Sequence, residues 1–128
     1  GVTVLVEPVN TRVDHPDIYL TSSHEGYNIV DAVDSPNVKL LYDVYHQQIS
    51  EGNLIDNVRT HVDRIGHVHV GGVPGRHEPG RGEINYPAVV SALAEAGYDG
   101  YIECEFHPIG DPEDAIRTVG SMLADAEQ

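Results

Sequence analysis

The chain has 128 residues, enough for one ordinary domain with a moderate core, and it carries 21 acids against 7 bases for a net charge of −14. With Lys39 as its lone lysine it offers no basic stripe for phosphates, so nucleic acid is excluded as the expected partner. A single cysteine, Cys104, rules out an internal disulfide, and no apolar run nears the roughly 20 residues that span a bilayer. The expectation is therefore a cytoplasmic protein with no leader and no membrane partner.

Four short apolar runs are expected as strands: Val2–Val6, Val38–Tyr42, Ile65–Val70 and Tyr101–Phe106. They are rich in β-branched residues and nearly unbroken, as strands of a parallel sheet are. Helical signals alternate with them. Ser22 and Glu25 form a capping-box pattern ahead of Tyr27, Val30 and Val33. Leu54, Val58 and Val62 recur every fourth residue after Gly52-Asn53. Asn85 and Pro87 open a third helix with Val89 and Leu93 on one face and Gly97 as its stop. Asp111-Pro112 opens the last helix, with Ile116, Val119 and Leu123 as the expected apolar stripe.

The order β-α-β-α-β-α-β-α, without a linker, predicts an α/β fold of four βα units around parallel strands. A complete (β/α)8 TIM barrel takes about 250 residues, so four units make half of one. A small open doubly wound sheet is the alternative.

A polar residue ends or follows each run: Glu7, Asp43, His69 and Glu105, spaced by 36, 26 and 36 residues. The C-terminal ends of parallel strands meet on one face, where barrel enzymes keep their active sites. Three carboxylates and an imidazole gathered there would repel unless a cation sat among them. Oxygen-rich ligation with one histidine suits a divalent metal, Mg²⁺ or Mn²⁺ first, Co²⁺ or Zn²⁺ next. Any one of the four alone reads as a cap, a turn residue or a core histidine; it is their recurrence at one place in successive units that predicts a site.

Several segments carry a resemblance. Val6-Glu7-Pro8-Val9-Asn10, Tyr42 to Gln48 (YDVYHQQ), Gly66-His67-Val68-His69, Val73 to Tyr86 (VPGRHEPGRGEINY) and Cys104-Glu105-Phe106 are similar to the second half of hydroxypyruvate isomerases. The whole of 1–128 thus resembles the C-terminal half of a xylose isomerase-like TIM barrel. The resemblance implies a metal held by Glu7, Asp43, His69 and Glu105, with Glu7 and Glu105 also handling protons. It implies that His46 and Arg76 bind a small-molecule substrate, a hydroxy-oxo acid such as hydroxypyruvate. His67, on the same strand face as His69, is taken as a further substrate-side residue, with a core role left open. Many relatives carry Gln where this chain has His69, while ketose 3-epimerases carry His, which keeps an epimerase or an inosose dehydratase as an alternative. Half a barrel also leaves open edges, so the chain is expected to pair with itself or with an N-terminal half, or else to be poorly soluble; a fragment that binds metal without turnover is a further alternative.

Overall fold

The computed structural model describes residues 1–126; the last two residues of the single unit expected over 1–128 lie outside the described residues. Four parallel strands, β1 (Val4–Val6), β2 (Val38–Asp43), β3 (Ile65–Val70) and β4 (Ile102–Cys104), lie side by side in chain order. A doubly wound sheet reverses its strand order and carries helices on both faces. Among the described residues the order never reverses, and one face alone is covered. Leu40, Tyr42, Val68 and Val70 are at most 1% exposed beneath the helices, while Lys39, Leu41, His67 and His69 on the other face are half-buried. The fold is half of a (β/α)8 barrel, its inner face open.

The five helices of the described residues follow from local chemistry. In α1 (Ser23–Val33) the Ser22 hydroxyl accepts from the Glu25 amide, as the capping box predicts, and Tyr27 and Val30 enter the core. Its Gly26 sits where a side chain would collide with Leu40, so helix and β2 approach closely. Helix α3 (Leu54–His61) buries Leu54 and Val58; the expected third member of its stripe, Val62, falls in a 3₁₀ turn at 62–64. In α4 (Tyr86–Glu95) the Asn85 side chain accepts from the Ala88 amide, and Gly97 follows the helix with a φ of +87°. Helix α5 (Pro112–Ala126) opens with the Asp111 carboxylate accepting from the Glu113 amide at 2.8 Å.

Two expectations need correction. An unforeseen short helix, α2 (Val44–Ser50), starts directly at the end of β2, because Asp43 accepts from the Tyr45 and His46 amides and so caps it. On α5, Ile116 is 59% exposed, and the buried pair is Ala115 and Val119. Positions four apart share a face, and it is their line, one residue round from Ile116, that turns inward.

Register then aligns the inner face. Asp43 pairs with His69 across β2 and β3, and His69 with Glu103 across β3 and β4. The β2–β3 register slips at Leu40/Leu41, leaving Gly66 as the extra residue between Ile65 and His67. That slip resets the alternation so that His67 and His69 point inward while Val68 and Val70 point to the core. A side chain at Gly66 would collide with Lys39 and Leu5, so the bulge takes glycine.

Candidate active site at the strand ends

Glu7 follows β1, Asp43 ends β2, His69 lies next to last in β3 and Glu105 follows β4. The structure brings these four together: one donor atom from each lies within 4.8 Å of all the others. His69 Nδ1 is 2.8 Å from Glu105 Oε2 and 3.9 Å from Asp43 Oδ2. Three carboxyl groups and an imidazole converging on one point are a donor set of the kind that binds a divalent cation.

A fifth group supplies positive charge. Arg76 Nη2 donates to Asp43 Oδ2 at 2.9 Å and to Glu105 Oε2 at 2.7 Å, and its guanidinium lies 4.6 Å from the centre of the Tyr45 ring. Arg76 reaches this place from the long connection between β3 and α4. It holds a left-handed φ of +54°, and its carbonyl accepts from the His107 amide at 2.7 Å, which docks the loop on the end of β4. Nearby, His77 Nδ1 lies 2.8 Å from the His107 carbonyl, and the buried Glu78 accepts from the Ile109 amide. Glu83 accepts from Gln48 at 3.2 Å, tying the loop to α2.

Electrostatics differ around the ring. Burial pushes Asp43 up to about 6, against the pull of Arg76 and of the His46 amide. Burial also raises Glu7, with His69 opposing and Glu105 adding to the rise. For Glu105, burial acts upward but is outweighed by Arg76 and His69, and the carboxyl lies below its ordinary value. The two glutamates therefore do not hold their protons equally.

His46, from the first turn of α2, is buried with Nε2 3.8 Å from Asp43 Oδ2. Its Nδ1 accepts from the Asn10 amide at 3.1 Å, which leaves the ring proton on Nε2, facing the site. Burial, then Arg76, pushes this imidazole down to about 4. It is neutral at physiological pH, a polar contact rather than a charge. His67 lies one layer deeper, its Nε2 2.9 Å from Glu103 and its ring edge-on to His69.

Sequence reasoning passed over Asn10, Asp14 and Tyr45. Asp14 Oδ2 accepts from Tyr45 Oη at 2.7 Å and from the Asn10 side chain at 2.8 Å, so the loop after β1 is pinned beneath Arg76 and beside His46. No sequence signal singled them out, because the Asp43 cap that starts α2, and so presents Tyr45 and His46 together, coincides with the end of β2.

Residues 1–126 match the family model of the xylose isomerase-like TIM barrel, and the chain belongs to that family. It is 44% identical over 108 residues to the 2-oxo-tetronate isomerase of Cupriavidus necator, covering 84% of this chain and 41% of that protein. It is 35% identical over 116 residues to the hydroxypyruvate isomerase of Escherichia coli, covering 91% and 45%. Among solved structures, one titled AP endonuclease, family 2, from Brucella melitensis superposes with a TM-score of 0.89 at 39% identity, over 94% of this chain and 46% of that one. The chain spans less than half the length of the relatives it matches. No helix among the described residues is long and apolar enough to cross a membrane.

Proposed function

We propose that this chain forms half the active site of a metal-dependent isomerase that interconverts hydroxypyruvate and tartronate semialdehyde, or a closely similar small 2-oxo acid. The observation that carries the reading is the convergence of Glu7, Asp43, His69 and Glu105 beside the Arg76 guanidinium. These four would hold a divalent ion, Mg²⁺ or Mn²⁺ by their oxygen-rich chemistry, and such an ion, when bound, stabilises negative charge on the substrate's oxygens as a Lewis acid.

The chain's own groups do the rest. One of Glu7 and Glu105 takes the proton from the hydroxymethyl carbon, and the other delivers a proton to the neighbouring carbon as the carbonyl moves. The hydroxyl proton passes between the two oxygens, so the overall change is an isomerisation with nothing gained or lost. Neutral His46 orients the substrate by hydrogen bonding, and Arg76 grips its carboxylate with a bidentate fork. His67 stands behind this layer, supporting His69. The names of both relatives above denote substrates with a carboxylate, a group that suits an arginine fork and would take the place of the contacts Arg76 makes with Asp43 and Glu105.

A second reading, a ketose 3-epimerase, follows from the histidine at position 69, which the resemblance drawn from the sequence associates with such epimerases. Turnover of hydroxypyruvate and of a ketohexose, each with and without Mn²⁺ or Mg²⁺, separates the two. Metal-dependent conversion of hydroxypyruvate is expected; conversion of the ketohexose alone would favour the epimerase. Because a half barrel leaves two strand edges free, we also propose that the working form is a pair of copies or a pairing with an N-terminal half.

A further inference from the structure

We propose that Glu103 is a positioning residue: its carboxylate, braced by His67, holds the His69 ring so that Nδ1 is presented to the metal. The inference rests on the metal reading above and concerns residues that reading leaves without a task.

An imidazole nitrogen can serve as a ligand only when it carries no proton, so a neutral His69 that ligates through Nδ1 must carry its proton on Nε2. His69 Nδ1 already faces the carboxyl cluster, 2.8 Å from Glu105 Oε2. The opposite nitrogen therefore points down into the barrel. There it meets Glu103, the Cα partner of His69 on β4, whose Oε2 is 3.6 Å from His69 Nε2. At 3.6 Å this is a close charge contact, longer than a hydrogen bond, from a carboxylate oxygen that His67 already holds. A carboxylate at that place fixes which ring nitrogen holds the proton and which way the ring points, the part that partners behind metal-bound histidines usually play.

Glu103 is itself held. The same Oε2 is 2.9 Å from His67 Nε2, and the His67 ring packs edge-on to His69 with centroids 5.2 Å apart. His67 is on the inner face only because of the Gly66 bulge, so the register slip, the His-x-His pair and Glu103 act as one unit. Without His67, a carboxylate whose side chain is 63% exposed would have no reason to stay beneath the ring.

The test compares Mn²⁺ affinity by calorimetry, and the visible spectrum of bound Co²⁺, in the intact chain and in Glu103→Gln and Glu103→Asp. The exposure of Glu103 makes both substitutions harmless to folding, which metal-free melting checks. Glu103→Gln should weaken Mn²⁺ binding about 10- to 100-fold and alter the Co²⁺ spectrum, with metal-free melting unchanged. Glu103→Asp keeps the charge but withdraws it by one methylene, and should lose affinity too. Wild-type affinity and spectrum in Glu103→Gln would overturn the proposal. So would an Asp variant that binds like the wild type, which would show charge acting through space and no positioning. Failure of the metal reading looks different: the unaltered chain would not bind Mn²⁺, or Asp43→Ala would bind as well as it does, and the proposal would fall with it.

Discussion

Asp43 has two duties that pull in different directions. It caps α2, and it places a nearly inaccessible carboxylate in the ring of donors, which burial pushes up to about 6. With the folded value raised above the ordinary one of 3.8, the two states are alike below about pH 4, where both are protonated. Stability is lost as pH rises from there to about 6, because ionisation favours the unfolded chain. Two units correspond to about 3 kcal/mol. Asparagine caps as well as aspartate does, so Asp43→Asn should raise the metal-free melting point at pH 7.5, by the equivalent of about 1–3 kcal/mol, and leave it unchanged at pH 4. The same variant should lose tight Mn²⁺ binding. A melting point that does not respond to pH in the wild type would remove the buried-charge account. At Arg76 the chemistry concerns substrate. Arg76→Lys should raise KM for hydroxypyruvate far more than for an uncharged ketose, since lysine cannot make two parallel contacts; equal effects would favour the epimerase reading. The four strand-end residues were legible in the sequence because parallel strands in one register deliver their C-terminal residues to one place. Arg76's contacts with Asp43 and Glu105 were not, because they depend on a left-handed backbone and on the path of a long loop, and neither leaves a periodic trace.

The element that most limits the site is the β3–α4 connection. Its base is clamped by Tyr86, whose hydroxyl donates to the Gly71 carbonyl and accepts from the Gly71 amide. Higher up, the Glu83 amide donates to the Val73 carbonyl at 2.7 Å across Gly82, which has a φ of +123°. A side chain on Gly82 would run into that carbonyl in a conformation that L-residues avoid. Gly82→Ala should therefore lower stability by about 1–3 kcal/mol and shift Arg76 out of place. Thermal melting reads the first effect, and a raised KM with little change in Mn²⁺ affinity reads the second. Loss of neither would show that the loop adjusts freely. The strands and long helices were readable from period and caps. Helix α2 was not, because the sequence marks its start with the same aspartate that marks the end of β2, and two elements share one residue.

At the scale of the molecule, strand order, one-sided helix cover and an inner face lined with polar groups describe four units of an eight-unit barrel. The outer edges of β1 and β4 have no neighbouring strand among the described residues, and Val4 and Leu5 of β1 are exposed. Such edges template association. Sedimentation at tens of micromolar, an order-of-magnitude choice, should show a dimer or larger species; a well-behaved monomer would contradict the pairing. The central claim is that Glu7 and Glu105 move the proton of an isomerisation at a metal-binding site. Its most direct test is exchange of the carbon-bound hydrogen of hydroxypyruvate with deuterated water, followed by NMR on the Mn²⁺-loaded, assembled protein and then repeated with Mg²⁺ for line width. The account predicts metal-dependent exchange in the unaltered protein, and its loss in Glu105→Gln even at Mn²⁺ concentrations raised until that variant is loaded; exchange that persists in the loaded variant would contradict it.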